Sequence, residues 1–306
     1  MEDIMVRILA ADGLEQSAKD ALTAKGFEVV DKHFEADELG KALADFDAVL
    51  VRSATKIRVP VIDEMVAAGR CRLVIRGGVG VDNIDVAYAK EKGITVRNTP
   101  AASSASVAEL ALGHMFALAR FIGIANYTMR NGKWDKKQYQ GIELGGRTLG
   151  VIGMGRIGRE LAARATALGM NVIYNDVFGA VEALPYRFAT FEEVLKEADF
   201  LSLHVPAQPE NKPLLAAEQL AMMKPTAYII NTARGSLIDN AALCDALDNG
   251  TLAGAALDVY PEEPCKDERL LANPKVSLTP HIGAATAEAQ QRIGAEIVSI
   301  ISEFFA

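Results

Sequence analysis

Three kinds of side chain that together suit hydride transfer follow apolar runs near the end of this sequence. Arg234 follows "AYIINTA", an acidic pair at Glu262 and Glu263 follows "GAALDVYP", and His281 follows "KVSLTP". An arginine fork binds a carboxylate through two hydrogen bonds. A histidine exchanges a proton with a hydroxyl or carbonyl oxygen, and a neighbouring carboxylate fixes its tautomer. Each group alone also fits a structural role, as a surface cation, a solvated acidic pair or a hydrogen-bonded loop histidine.

A glycine-rich turn precedes these groups in the chain. The stretch "VIGMGRIGRE" places Gly153, Gly155 and Gly158 in the spacing G-x-G-x-x-G, between an apolar strand pattern and a helix pattern. In dinucleotide-binding folds these glycines permit a tight turn, a close approach to the pyrophosphate and close helix packing. Asp176 ends the next strand pattern, where a carboxylate would bind the adenosine ribose, and no arginine or lysine follows in "VFGAVEA". We therefore predict NAD rather than NADP, with a structural glycine turn as the alternative.

The elements that must position these groups form two alternating series. The first alternates short apolar runs, from "VRILAAD" to "ITVRN", with helical patterns, and the second runs from "RTLGVIGMG" to "KVSLTP". Such alternation predicts parallel sheets covered by helices, with strands buried on both faces. A long helical pattern covers residues 104–132 and an amphipathic one covers 286–305. We predict an α/β fold with two doubly wound parallel sheets.

Bulk properties exclude several classes of partner. The 306 residues suffice for about two domains, and the net charge of −8 argues against nucleic acid or an anionic membrane surface as the main partner. No apolar run approaches the ~20 residues of a membrane span, and the N-terminus lacks a signal-peptide pattern. Cys71, Cys244 and Cys265 are far apart, which predicts no metal site and is typical of a reducing cytoplasm. We expect a cytoplasmic protein whose partner is a small molecule.

Ordered motifs extend along essentially the whole chain. They are "RSATKI", "RGGVGVDNID", "RNTPAASSASVAEL", "GKW", "GRTLGVIGMGRIGRE", "NTARGSLID", "GAALDVYPEEP" and "PHIGAAT". With these motifs the chain resembles the D-isomer-specific 2-hydroxyacid dehydrogenase family, and most closely its members that oxidise 3-phosphoglycerate. The resemblance implies a Rossmann NAD-binding domain of residues 98–284, inserted into a smaller flavodoxin-like substrate domain of residues 1–97 and 285–306.

The resemblance also implies a role for individual residues. The family's Arg–Glu–His triad falls on Arg234, Glu263 and His281, with Glu263 chosen over Glu262 because it directly precedes Pro264. The implied cofactor contacts are Gly153, Gly155, Arg156, Ile157, Gly158, Asp176, His204, Val205, Pro206, Thr232, Ala233, Asp258 and Gly283. The implied substrate contacts, besides Arg234 and His281, are Arg52, Ser53, Arg76, Gly77, Gly78 and Val79. Asp258 would hold the nicotinamide carboxamide, and Arg52 and Arg76 would bind a phosphate.

The resemblance further implies a homodimer formed through the NAD-binding domain. A connecting helix over residues 104–122 would form the dimer, and Lys136 or Lys137 would reach the site of the partner subunit. The stretch "AASSAS" departs from the family pattern, so we expect one polar contact to be altered. No regulatory module follows the last helix pattern, so we do not expect serine feedback through such a module.

Three alternatives stay open. Arg52 and Arg76 also fit a role as solvated surface cations. Glyoxylate/hydroxypyruvate reductase or D-lactate dehydrogenase is the alternative enzyme of the same family. Some members of the family act as NADH-sensing transcriptional corepressors and keep the triad. The triad therefore does not by itself distinguish an enzyme from a cofactor-sensing binding protein.

Overall fold

The chain divides into two compact units. The structure is a computed structural model that describes residues 5–208, 210 and 212–306. Unit 1 comprises residues up to Ser103 together with 284–306, and unit 2 comprises Ser104–Gly283. The division expected from the sequence fell after residues 97 and 284, so the segment 98–103 and Ala284 belong to unit 1 instead.

Unit 1 is built on a parallel sheet of five strands. The strands are β1 Arg7–Ala10, β2 Glu28–Asp31, β3 Ala48–Val51, β4 Leu73–Arg76 and β5 Thr95–Asn98. The helices are α1 Gln16–Ala24, α2 Leu39–Ala42, α3 Val59–Ala68, α4 Val86–Glu91 and the last helix of the chain, α12 Ala287–Phe304. The strand order β2-β1-β3-β4-β5 is that of flavodoxin-like folds, as predicted.

The burial of the strands in unit 1 follows their place in the sheet. β1, β3 and β4 are largely buried, whereas β2 and β5 at the two edges are only half-buried. The expectation that every strand is fully buried is therefore wrong for β2 and β5, because an edge strand has a neighbouring strand on one side only. The amphipathic pattern near the C-terminus forms α12, and its buried Ile293, Ile297 and Ile301 pack in the same apolar cluster as Ile8 and Ile75.

Unit 2 is built on a parallel sheet of seven strands. The strands are β6 Thr148–Ile152, β7 Asn171–Asn175, β8 Arg187–Phe188, β9 Phe200–Leu203, β10 Tyr228–Asn231, β11 Gly254–Leu257 and β12 Val276–Leu278. The helices are α5 Ser104–Ala119, α6 Ile122–Arg130, α7 Arg156–Ala167, α8 Phe191–Glu197, α9 Ala217–Ala221, α10 Asn240–Asp248 and α11 Glu268–Ala272. The order β12-β11-β10-β9-β6-β7-β8 is the Rossmann order with one further strand, which confirms the predicted fold class.

The long helical pattern over residues 104–132 is two helices rather than one. α5 ends at Ala119, and Phe121 adopts a left-handed backbone conformation with φ 56° before α6 begins. The carbonyl of Ala119 accepts a hydrogen bond of 2.9 Å from the amide of Ile142, so it is not available to continue the helix. The turn of the chain therefore depends on a contact with a distant segment, which the local apolar pattern does not contain.

The described part of the chain contains no single helix that is long and apolar enough to cross a membrane. α5 and α6 together satisfy the length and composition of a span, but they are bent by 65° relative to each other. α5 buries Val107, Ala108, Ala111 and Met115 in unit 2, as a core helix does.

Candidate active site

Three neighbouring strands carry the groups predicted to do chemistry. β10, β11 and β12 lie side by side, and their carboxyl ends lead into the loops that hold Arg234, Glu263 and His281. Ligands of open α/β sheets gather at such strand ends. The structure thus places the three predicted residues on adjacent loops of unit 2.

Glu263 and His281 form a direct pair. The Nδ1 atom of His281 lies 2.8 Å from Oε2 of Glu263. Because an ionised carboxylate only accepts hydrogen bonds, Nδ1 carries the proton and Nε2 is left for another partner. The two side chains are 35% and 36% exposed, so the ring remains accessible to a small molecule. The arrangement is that of a histidine oriented by a carboxylate for proton exchange.

The surroundings of Glu263 keep it ionised. Its burial acts to raise the pKa of the carboxyl, but the hydrogen bond and charge of His281, the amide of Tyr260 and the charge of Arg234 together hold this pKa below its ordinary value of 4.5. The amide of Tyr260 lies 3.2 Å from Oε1 of Glu263. The carboxylate is thus a fixed negative charge beside the ring of His281 at neutral pH.

Asp258 anchors the loop that carries His281. Its Oδ1 accepts hydrogen bonds from the hydroxyl of Thr279 at 2.6 Å and the amide of Ile282 at 2.8 Å, and its Oδ2 accepts one from the amide of Gly283 at 2.8 Å. His281 itself has a φ of 54°, which is uncommon for a residue with a side chain. Sequence reasoning expected Asp258 only as a cofactor contact and missed its role in holding this loop.

A glycine brings the loop of Arg234 against the loop of Glu263. A Cβ atom on Gly235 would lie 1.9 Å from the carbonyl carbon of Tyr260, so only glycine fits there. Asn231 holds the turn, since its amide donates to the carbonyl of Arg234 at 2.8 Å and its Oδ1 accepts from the amide of Ala233. Arg234 is half-buried at this junction.

The predicted glycine turn lies between β6 and the first turn of α7. Gly153 has a φ of 95° and a Cβ atom there would lie 2.5 Å from the carbonyl oxygen of His204, while one on Gly158 would lie 2.3 Å from the carbonyl oxygen of Gly153. Gly155 is the N-cap residue of α7 and, as a glycine, has no side chain to bond to the first amides of the helix. A Cβ atom there would meet open space. Arg156 and Ile157 are the first residues of α7, whose amides have no acceptor within the helix, so this helix start fits a pyrophosphate.

Asp176 lies at the carboxyl end of β7, next to this turn. Its Oδ2 accepts a hydrogen bond from the amide of Met154 at 2.8 Å, and its Oδ1 accepts one from the amide of Phe178 at 3.0 Å. These bonds fix the carboxylate beside the turn. A fixed negative charge at this place fits ribose hydroxyls and disfavours a 2′-phosphate.

Buried polar atoms at the ends of β9 and β10 also fit a ligand. Among the described residues, Nδ1 of His204 and Oγ1 of Thr232 have no hydrogen-bond partner, while Nε2 of His204 lies 2.9 Å from the hydroxyl of Ser202. Burial lowers the pKa of His204 to about 4. Val205 and Pro206 follow His204 after β9, next to the place between β6 and β9 where the strand order reverses, and Ala233 follows Thr232 after β10.

The predicted substrate contacts of unit 1 lie at the carboxyl ends of β3 and β4. These strands pair with Val51 opposite Arg76, so Arg52 and Ser53 follow one strand beside the turn that follows the other. The guanidinium of Arg76 lies over Gly78, whose φ is 143°. The same turn contains Gly77 and Val79, and Val79 is exposed.

A cavity of about 290 Å³ opens at the same end of unit 1, and its walls include Asp12, Arg52, Gly77 and Ile293. It lies where the strand order reverses between β1 and β3, which is where flavodoxin-like folds bind ligands. Asp12 is engaged by the backbone amides of Arg52 and Thr55, so its charge is partly satisfied within the wall. The described residues contain no group of three or more metal-ligating side chains.

Comparison with known proteins gives a consistent result. A family model described as the NAD-binding domain of D-isomer specific 2-hydroxyacid dehydrogenases matches residues 112–283. The chain is 45% identical over 299 residues to the hydroxypyruvate reductase of Thermotoga maritima, covering 96% of this chain and 97% of that protein. It is also 45% identical over 303 residues to the D-3-phosphoglycerate dehydrogenase of Methanocaldococcus jannaschii, covering 98% of this chain but only 57% of that longer protein.

Solved structures match over nearly the full chain. A protein from Thermus thermophilus has a TM-score of 0.87 at 38% identity and covers 96% of this chain and 94% of its own. An NADPH-dependent glyoxylate/hydroxypyruvate reductase from Sinorhizobium meliloti, solved with NADP and malonate, has a TM-score of 0.84 at 31% identity, covering 98% of this chain and 94% of its own.

Proposed function

Because this chain belongs to the D-isomer-specific 2-hydroxyacid dehydrogenase family, we propose that it is a D-3-phosphoglycerate dehydrogenase, which oxidises 3-phosphoglycerate to 3-phosphohydroxypyruvate. The chain is an oxidoreductase with NAD as its cofactor. The observation that carries the substrate assignment is the pair of arginines, Arg52 and Arg76, at adjacent strand ends of unit 1. The product would enter the phosphorylated route to L-serine.

The catalytic steps follow from the pair of Glu263 and His281. Arg234 binds the substrate carboxylate through its fork of N–H groups. Nε2 of His281 takes the proton of the C2 hydroxyl, and Glu263 stabilises the imidazolium that forms. NAD, when held by the glycine turn and the strand ends of unit 2, would supply the hydride acceptor for C2. The oxidised substrate leaves as a 2-keto acid, and the proton leaves from His281.

The residues that would hold NAD form three groups. The turn of Gly153, Gly155 and Gly158 and the first amides of α7 would bind the pyrophosphate, and Asp176 the adenosine ribose. The strand-end residues His204, Val205, Pro206, Thr232 and Ala233 would line the remainder. Asp258 and Gly283 would face the nicotinamide end, where Asp258 also holds the loop of His281.

Phosphate binding is the role we assign to the cations of unit 1. Arg52 contributes to the wall of the 290 Å³ cavity, and the guanidinium of Arg76 lies over the adjacent turn at Gly78. Guanidinium groups bind phosphate oxygens bidentately. Ser53 and the amides of Gly77, Gly78 and Val79 would bind the remaining polar groups of the substrate.

Hydroxypyruvate reduction is the second candidate function. The hydroxypyruvate reductase of Thermotoga maritima matches over 97% of its own length, whereas the phosphoglycerate dehydrogenase of Methanocaldococcus jannaschii matches over 57%. A reductase of this kind needs no phosphate site. The two candidates therefore differ in what Arg52 does.

One kinetic comparison tests the assignment. 3-Phosphohydroxypyruvate and hydroxypyruvate differ only in the phosphate, so the ratio of their kcat/KM values with NADH measures phosphate binding. We expect kcat/KM for 3-phosphohydroxypyruvate to exceed that for hydroxypyruvate by more than ~10²-fold in the native enzyme. In Arg52→Ala this ratio should fall roughly 10-fold or more, because a charge-assisted hydrogen bond to the phosphate is lost. Arg58→Ala is the matched control, because Arg58 pairs with Asp85 away from the cavity. A ratio near one, or one unchanged in Arg52→Ala, would favour the reductase.

We also propose that the enzyme is a cytoplasmic homodimer formed through unit 2. Cys71, Cys244 and Cys265 are free thiols, as is typical of a reducing compartment. Four apolar residues on α6 and the loop after it are more than half exposed, namely Ile122, Tyr127, Met129 and Trp134. Large exposed apolar patches mark interfaces.

Sedimentation tests the dimer. We expect Ile122→Glu to shift the protein from dimer to monomer, since a buried unpaired carboxylate opposes association. Leu271→Glu is the control, because Leu271 is similarly exposed but lies on α11. A monomeric native protein, or an Ile122→Glu variant that remains dimeric, would contradict this proposal.

A further inference from the structure

A buried histidine that the reaction does not use lies beneath the loop of His281. His114 is on α5 and only 3% of it is exposed. Its Nδ1 lies 2.9 Å from the hydroxyl of Ser277, and its Nε2 lies 3.0 Å from the hydroxyl of Thr279. The hydroxyl of Thr279 is in turn 2.6 Å from Oδ1 of Asp258. These four residues form one continuous chain of hydrogen bonds inside unit 2.

The donor and acceptor of each of these hydrogen bonds follow from the carboxylate of Asp258. An ionised Asp258 only accepts, so Thr279 donates its hydroxyl proton to Oδ1. The oxygen of Thr279 must then accept from His114, which puts the histidine proton on Nε2. Nδ1 accordingly accepts from Ser277. Burial lowers the pKa of His114, with the charge of Asp258 opposing it, so the ring stays neutral and this tautomer is retained.

The series of hydrogen bonds ends on the backbone around His281. Besides the hydrogen bond from Thr279, Asp258 accepts hydrogen bonds from the amides of Ile282 and Gly283, the two residues that follow His281. His281 has a left-handed φ of 54°, a conformation that persists in a residue with a side chain only where its surroundings hold it. The bonds to Asp258 supply that restraint, and Thr279, which is itself bonded to His114, gives one of the three hydrogen bonds that the carboxylate of Asp258 accepts.

We propose that His114 is a positioning residue for proton transfer, which acts through Thr279 and Asp258 to hold His281 in the orientation that presents Nε2 to the substrate. This role rests on the proposed function of His281, and His114 itself touches neither the substrate nor the cofactor. The Nε2–H group of His114, which donates to Thr279, is the part of the side chain that this role requires. A side chain with a donor at the same place preserves the orientation, and an apolar one of the same size loses it.

Two pairs of matched variants test this role. Glutamine and methionine have the same length, but only glutamine places an N–H group near Nε2 of the original ring. We expect His114→Met to lower kcat on the order of 10-fold or more, because a small misplacement of a reacting group is costly, while KM changes little. His114→Gln should recover most of the loss. Likewise Thr279→Val should lower kcat and Thr279→Ser should not.

Hydrogen exchange of the protein without substrate provides a readout that does not depend on catalysis. We expect the amides of Ile282 and Gly283 to exchange faster in His114→Met and Thr279→Val, and at the native rate in His114→Gln and Thr279→Ser. If a histidine variant fails to fold, the threonine pair decides alone. Native kcat and native exchange in both apolar variants, or equal losses within each pair, would overturn the proposal.

The proposed function and this inference fail in different ways. A fully active His281→Ala variant would refute the role of His281 whatever the exchange data show. An inactive His281→Ala variant together with fully active His114→Met and Thr279→Val variants would refute the positioning role alone.

Discussion

The carboxylate of Glu263 lies 2.8 Å from the ring of His281, whereas the adjacent Glu262 points its carboxylate to Lys266 at 3.1 Å. Two consecutive glutamates thus have different partners. We expect Glu263→Gln to lower kcat by roughly 10²-fold, because an amide cannot stabilise the imidazolium by charge. Glu262→Gln should retain native kcat, which makes it the matched control. Steady-state kinetics of both variants provide the measurement, and equal effects would contradict the assignment of Glu263.

The distinction between these two glutamates came from the sequence only through the resemblance to the family. The residue types and the strand-end pattern pointed to an acidic group before Pro264 but did not choose between neighbours. The two parallel sheets, in contrast, follow from the alternation of buried strands and helices, because parallel strands need crossover helices, whereas the fold types that carry their strand orders came with the resemblance. The two sheets depend on local pattern, and the structure confirms them.

Features that depend on contacts between distant segments were not predicted. The end of α5 at Ala119 depends on the amide of Ile142, and the chain of hydrogen bonds from His114 to Asp258 joins a helix to two strand ends. Nothing in the local sequence around His114 distinguishes it from an ordinary core residue. Asp258 was singled out, but its bonds to its own loop appear only once the loops are folded together.

The glycine turn allows a prediction that separates cofactor binding from folding. A Cβ atom on Gly155 meets open space at a φ that alanine accepts, whereas one on Gly158 would lie 2.3 Å from the carbonyl oxygen of Gly153. We expect Gly155→Ala to fold with native stability but to raise the Kd for NAD, since the methyl group obstructs the approach of the pyrophosphate. Gly158→Ala should destabilise the fold. Urea unfolding and NADH fluorescence titration measure the two effects, and a loss of stability in Gly155→Ala would contradict this prediction.

The charge of Asp176 should determine the choice between NAD and NADP. Asp176→Asn removes the charge and keeps one carbonyl oxygen, which can accept from the amide of Met154 or from that of Phe178, whereas the carboxylate accepts each amide with a separate oxygen. We expect the ratio of kcat/KM for NADH over NADPH to fall by roughly 10-fold, because the 2′-phosphate no longer meets a carboxylate. A native enzyme that prefers NADPH would contradict the prediction outright.

The half-buried His204, whose ring atom Nδ1 is itself buried, should make stability depend on pH in a defined window. Burial lowers its pKa to about 4, from 6.5 in the unfolded chain. Between these values the unfolded state binds more protons than the folded state, so this residue makes stability rise with pH, and its contribution is lost as pH falls from 6.5 towards 4.

Urea unfolding of the native protein and His204→Asn at several pH values provides the measurement. We expect the native free energy of unfolding to decrease more steeply below pH 6.5 than that of the variant, since asparagine does not titrate. Parallel curves for the two proteins would show that His204 does not contribute.

The hydroxyl of Tyr260 connects the two strand ends that carry Glu263 and His281. It lies 3.1 Å from the carbonyl of Leu257 and 2.9 Å from that of Thr279, while the amide of the same residue donates to Glu263. Burial, with the nearby Cys265 and Asp258, raises the pKa of Tyr260 to about 12, so the hydroxyl remains a donor at any working pH.

We expect Tyr260→Phe to destabilise the protein by about 1 kcal/mol, because the carbonyl groups of the buried Leu257 and the half-buried Thr279 lose their shared donor. The hydrogen bond from the backbone amide of residue 260 to Glu263 is retained, so kcat should fall only a few-fold, far less than in Glu263→Gln. Tyr228→Phe is the control, since Tyr228 stacks on Phe200 in the same unit away from these strand ends. Urea unfolding and kinetics of the three variants measure these effects, and a kcat loss in Tyr260→Phe as large as that in Glu263→Gln would mean that the hydroxyl itself takes part in proton transfer.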